Sequence, residues 1–214
     1  LDADLLIFAG SNTPNSQPVT TKYIYLAKQR GAKVAVINPH REPGLQRYWI
    51  PSVLESAMFG TKLADEFFSI HTGGDVAFLN GVLKYLIEQN LVDKKFIQDK
   101  TEAFDGLRAI LNEQSWELLE SHSGASRSEI QKFGDMYASS RKAVFVWSMG
   151  LTQHVFGVEN VQAIINLALA RGMVGREGCG VMPIRGHSGV QGGAEVGCVP
   201  TNFPGGDAIN TESA

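Results

Sequence analysis

Two short runs, Leu5-Leu6-Ile7-Phe8-Ala9 and Val34-Ala35-Val36-Ile37, constrain this chain more than any other feature. Neither alternates apolar with polar residues, so each reads as a strand covered on both faces. Between them, Thr20 to Arg30 sets Tyr23, Ile24, Leu26 and Ala27 at helical core spacing, and Gly31 supplies a C-terminal stop. Strand, helix and strand in this order predict a βαβ unit, hence a parallel pair with a right-handed crossover. The expected fold is α/β, with a short, mostly parallel sheet flanked by helices. A hydrophobic content of 43% over 214 residues is enough to build its core.

The remaining elements follow from pattern. Residues 41–65 hold Pro43, Gly44, Pro51 and Gly60 and read as a long excursion with a short helix, Val53 to Phe59. Phe67 to Ile70 is a third strand candidate. Gly73-Gly74-Asp75 opens a helix over Val76 to Asn90, with Leu79, Val82, Leu83, Leu86 and Ile87 as its buried stripe. Residues 93–140 are helical throughout; Asp93 caps one helix, and Ser126 with Glu129 forms a capping box for another. Ala143 to Trp147 is a buried strand, and Glu159 to Arg171 a helix ended by Gly172. From Val174 onward the chain is glycine-rich and expected to be irregular. The predicted division is residues 1–174, an α/β binding domain with the helical section 93–140, and residues 175–214, a glycine-rich segment and tail.

Ligand sites in parallel sheets lie beyond the carboxyl ends of strands. That rule selects Gly10 to Pro18, Asn38 to Arg41 and Ser148 to His154. The first loop offers Ser11, Asn12 and backbone amides before a helix, which suits an anion or serves as an ordinary polar loop. Asn38-Pro39 either starts a turn or presents an amide to a ribose or base edge. Asp75 either caps its helix or accepts two N–H donors from a guanine edge. Met149 and Gly150 end a buried strand, where Met149 fills core or meets a ligand, and Gln153 has no packing reason to be there. Arg185-Gly186-His187-Ser188-Gly189-Val190-Gln191-Gly192-Gly193 is not written as a packed helix or strand, because glycine weakens both. A planar guanidinium among glycines suits a carboxylate or phosphate oxygen, and His187 can donate or shuttle a proton near neutral pH. No His, Cys or carboxylate set stands at metal-ligand spacing.

A formal net charge of -3 argues against broad nucleic-acid binding. No apolar run approaches a membrane span, and no signal-peptide pattern opens the chain. Cys179 and Cys198 are expected to be buried, inert free thiols, which fits a cytoplasmic protein. The absence of an initiator Met and the trailing polar tail read as a segment of a longer polypeptide.

The order of these motifs resembles the molybdopterin oxidoreductases, the formate dehydrogenase alpha-subunit group in particular, including its oxidoreductase alpha (molybdopterin) subunit branch. That group runs G-x-N, D-P-R, P-G-T-D, G-M-G-x-T-Q, T-G-N-x-G-R and G-V-x-P-x-R-G-x-x-x-V-Q-G. Here stand Gly10-Ser11-Asn12, Asn38-Pro39-His40, Thr72-Gly73-Gly74-Asp75, Ser148-Met149-Gly150-Leu151-Thr152-Gln153, Arg171 to Arg176, and Gly180-Val181-Met182-Pro183-Ile184-Arg185-Gly186 with Val190-Gln191-Gly192. Asn38 replaces an Asp, Ser148 a Gly, and His187 a Gln. The resemblance implies a two-electron oxidoreductase with a bis-molybdopterin guanine dinucleotide holding Mo or W. It places Ser11 and Asn12 near a phosphate or the pterin, and Asn38 and Asp75 at the guanosine end. Met149, Gly150, Gln153, Gly186, Gln191 and Gly192 would line the cofactor bed, with Arg185 and His187 at the metal. The substrate would be formate or another small anion, delivered to an enzyme with an electron-transfer partner. An iron–sulfur cluster and the metal-ligating residue would lie upstream, leaving this segment alone inactive. The alternative of another class is a non-enzymatic, flavodoxin-like nucleotide-binding module whose glycine-rich tail is linker.

Overall fold

The computed structural model describes residues 2–186, 189–203 and 207–209. The chain forms two compact units, Leu1–Pro183 and Ile184–Ala214. In the first, β1 (Leu5–Ala9) leads through α1 (Thr13–Ser16) and α2 (Thr20–Gln29) to β2 (Lys33–Asn38). The excursion carries α3 (Pro43–Gln46) and α4 (Leu54–Phe59), closed at its base by an antiparallel bridge between Tyr48 and Thr61, before β3 (Glu66–Ser69). Five helices then intervene: α5 (Asp75–Glu88), α6 (Lys94–Lys100), α7 (Phe104–Glu113), α8 (Trp116–Ser123) and α9 (Arg127–Ser139). β4 (Ala143–Trp147), α10 (Met149–Thr152), α11 (Gly157–Ala170) and β5 (Gly180–Pro183) complete the unit.

The strands form one parallel sheet in the order β3-β2-β1-β4-β5. β1 is central, paired on both sides, and four of its five residues are buried, Leu6 being half-buried. On one face Leu5, Ile7 and Ala9 join the core built with α5, α9 and α11. There Phe68, Phe78, Phe133, Tyr137 and Phe145 make a chain of aromatic contacts with centroids 5.1–6.3 Å apart. On the other pleat Phe8, Val34, Val36 and Val146 are buried as well. α5 packs against α7, α8, α9 and α11, so the helical section is continuous with the core. The Ser126–Glu129 capping box forms in both directions, and Asp93 accepts from the Phe96 N–H.

Two elements in the glycine-rich part were not expected. β5 pairs with β4 at the sheet edge, which tolerates Gly180 and Pro183 because its outer side needs no ladder. In the second unit α12 (Val190–Glu195) is helical despite Gly192 and Gly193. Its end explains why: Gly197 adopts φ +84°, its N–H reaches the Ala194 carbonyl at 3.1 Å, and the Cys198 N–H reaches the Gly193 carbonyl at 2.8 Å. That paired closure caps orphan carbonyls and favours the short turn of helix. The cysteines correct a further expectation: both are free, but Cys179 is half-buried and Cys198 exposed.

Candidate functional site

Strand order reverses direction between β1 and β4: the chain runs outward from β1 through β2 to β3, then restarts on the other flank with β4 and β5. The loops leaving β1 and β4 therefore part at one point of the carboxyl edge, the place where such sheets hold ligands. Here the two loops touch backbone to backbone. The Gly150 N–H donates to the Gly10 carbonyl at 3.1 Å. Gly10 has φ +56°, and a Cβ there would lie 2.7 Å from the Gly150 carbonyl carbon; a Cβ on Gly150 would lie 2.6 Å from Gly10 O. Backbone atoms cannot swing aside, so both positions demand glycine. Behind them, buried Asn160 of α11 donates from Nδ2 to the Leu151 carbonyl at 2.8 Å and ties the β4 exit turn down.

Three of the expected residues are knitted together beside this junction. Ser11 is buried, its hydroxyl 3.1 Å from that of Thr13. Asn38, last residue of β2 and 6% exposed, donates from Nδ2 to the Ser11 carbonyl at 3.2 Å. Asn12 donates from Nδ2 to Glu42 Oε2 at 2.7 Å. The consequence lies in what remains: Asn12 Oδ1 and Asn38 Oδ1 are both buried with no hydrogen-bond partner. A buried acceptor left unmatched costs about 1–3 kcal/mol. Two such oxygens in adjoining loops create a standing demand for N–H or O–H donors.

Asp75 approaches the same edge from β3. Gly74, not Asp75, occupies the N-cap of α5, and no side chain caps that helix, which corrects the capping expectation. Asp75 is only 6% exposed. Burial holds its carboxyl above the ordinary value of 3.8, opposed by its own backbone N–H and by the charge of His154. A desolvated carboxylate without a capping duty is suited to accept from a ligand. Met149 is 44% exposed at the start of α10, and Gly150 and Gln153 are exposed on that turn. Gln153 closes α10 through its backbone N–H to Met149 O at 2.8 Å, leaving the side chain to other uses.

The remaining expected residues belong to the second unit. Arg185, Gly186 and Gly192 are exposed, Gln191 lies in α12, and His187 lies outside the described residues. Among the described residues no group of three or more His, Cys, Asp or Glu side chains is placed to hold a metal. Sequence reasoning missed Glu42, which pairs with Asn12 across 30 positions. Its one local signal is an acid directly before Pro43 at a helix start.

The fold is an α/β domain with unpartnered buried acceptors at the switch point of its parallel sheet. The family model for molybdopterin oxidoreductases matches residues 1–212. This chain belongs to that family, and membership implies a molybdopterin cofactor with molybdenum or tungsten. It is 36% identical over 206 residues to Protein YdeP of Escherichia coli (strain K12), covering 91% of this chain and 27% of YdeP. It is 34% identical over 204 residues to formate dehydrogenase H of the same organism, covering 95% of this chain and 26% of that protein. The chain thus spans about a quarter of the length of these curated relatives. Acetylene hydratase from Pelobacter acetylenicus shares the fold, with a TM-score of 0.69 at 22% identity over 83% of this chain and 22% of that one. The flavodoxin-like binding module finds no support in these matches. No helix among the described residues is long and apolar enough to cross a membrane.

Proposed function

We propose that this chain forms part of the bed for a molybdopterin guanine dinucleotide in a formate dehydrogenase-like oxidoreductase. The observation that carries the reading is the pair of buried, unpartnered amide oxygens of Asn12 and Asn38 at the switch point. Pterin and guanine edges both carry N–H groups that would satisfy them, and the Gly10–Gly150 junction fixes the two loops that carry the site. When bound, the cofactor supplies a metal centre that exchanges two electrons with substrate.

The chain's own residues supply placement and electrostatics. Asn38 and Asp75 would hold the guanosine end, the Asp75 carboxylate accepting from the base. Ser11 and Asn12 would meet the pterin side, and Met149, Gly150 and Gln153 would line the remainder; Gly186, Gln191 and Gly192 of the second unit would be further cofactor contacts. Arg185 would orient a small anion such as formate through its guanidinium fork, and His187 would hold or release a proton. An electron-transfer partner belongs to the same proposal. So does the division into a dinucleotide-binding domain, 1–174, and an active-site segment, 175–214. The 214 residues expressed alone supply a fraction of the bed and are expected to turn over no substrate.

The test is Asn38→Ala in the protein purified from a host that makes the cofactor. Pterin, released and oxidised to its fluorescent form, and metal are counted per chain. A several-fold fall in both is expected, and unchanged content overturns the reading. Arg185→Ala should keep its metal and lose turnover; full turnover removes Arg185 from the site.

A further inference from the structure

We propose that Glu42 is a positioning residue for this bed: it turns the Asn12 carboxamide so that an acceptor, not a donor, meets the ligand. The inference rests on the proposed cofactor bed and names the chemistry of one part of it. An asparagine amide has two faces, Oδ1 accepting and Nδ2 donating, and by itself serves either kind of ligand. Glu42 Oε2, 2.7 Å from Asn12 Nδ2, resolves the choice, because a carboxylate only accepts. Nδ2 must face Glu42, so Oδ1 is the atom left over, buried and unpartnered. Asn38 repeats the device with a backbone acceptor, its Nδ2 engaged by the Ser11 carbonyl. Two loops thus spend their donors internally and keep their acceptors.

A subsite of this kind refuses phosphate. An anionic oxygen at Asn12 would meet the amide oxygen instead of a donor, because Glu42 already takes the Nδ2 hydrogen. The loop that reads in sequence as an anion cradle is instead a place for the N–H edge of a heterocycle, and any pyrophosphate must sit elsewhere along the bed. Glu42 itself is half-buried and carried at the start of α3, ahead of Pro43, whose fixed φ sets the direction of the turn.

The experiment follows pterin release from the loaded protein after dilution, using the fluorescence of the oxidised pterin. Asn12→Ala and Glu42→Ala should each speed release by up to about tenfold, the loss expected of one hydrogen bond to a neutral acceptor. The double variant should be no faster than Asn12→Ala, because Glu42 acts through Asn12. Glu42→Gln can accept from Nδ2 or donate to Oδ1, so it should speed release to a value between the parent and Glu42→Ala. It also keeps the test decisive if Glu42→Ala does not fold. Glu42→Lys, which only donates, should turn the amide round and release pterin at least as fast as Glu42→Ala. Wild-type release from Glu42→Ala, parental release from Glu42→Lys, or a double variant near a hundredfold overturns the positioning role. An unchanged Asn12→Ala overturns it too. If Asn12→Ala and Asn38→Ala both hold pterin normally, it is the cofactor bed itself that fails.

Discussion

Substituting Gly10 by alanine tests the junction on which the site stands. Two costs add. Alanine at φ +56° pays about 1–2 kcal/mol for the left-handed backbone. The new methyl would then lie 2.7 Å from the Gly150 carbonyl carbon and 3.0 Å from Leu151 Cβ, closer than such atoms approach. Overpacking of this kind costs about 1–3 kcal/mol. The sum is about 3 kcal/mol, or roughly 6–12 °C in Tm for a domain of this size. If the loops part to relieve the clash, part of that loss reappears as poorer cofactor retention, because the β1 and β4 exits no longer meet. Thermal unfolding of the ligand-free protein and pterin content of the loaded one measure the two shares. Gly106→Ala in α7 is the control: nothing lies within 4 Å of its added methyl, and a helical alanine should be neutral or gain up to about 1 kcal/mol. A Gly10→Ala protein with parental Tm and parental pterin content would refute the close-contact reasoning.

Asp75→Asn should stabilise the ligand-free protein at neutral pH. The folded-state pKa of Asp75 is raised, so the fold favours the protonated acid, and stability is lost as pH rises from 3.8 through the folded value. The gain from Asn should therefore vanish below about pH 4, seen by urea denaturation across pH; a gain that persists there contradicts the burial argument. Asn160→Ala should cost about 1–3 kcal/mol in chemical denaturation, because it abandons the buried Leu151 carbonyl. A cost below about 0.5 kcal/mol would mean that this tie does not hold the β4 exit.

The parts of the molecule readable from sequence are those where one local cause dominates. β1, β2 and β4 announce themselves because burial on both faces leaves no polar alternation. The Ser126–Glu129 box and the Asp93 cap are readable because three residues contain the whole interaction. β5 is hidden because an edge strand carrying Gly180 and Pro183 has neither the propensity nor the apolar run of its neighbours. α12 is hidden because its stop signal, Gly197, is one glycine among several. At the site, the loops were legible from the parallel topology, but their polarity was not. Whether Asn12 offers its oxygen or its nitrogen depends on Glu42, and whether Asn38 does depends on the Ser11 backbone; neither pairing follows a helical or strand period. Asp75 reads as a cap by propensity, and a glycine took that post instead.

The meeting of Gly10 with Gly150 also has a bearing on the order of events in the cell. A ribosome delivers β1 long before β4, and five helices are made in between. Until Gly150 has emerged and the intervening chain has folded back, half of the cradle has no other half. Under the proposed bed, cofactor insertion follows translation of this region, and a nascent chain halted before β4 offers only the Asn12 and Asn38 side of the cradle.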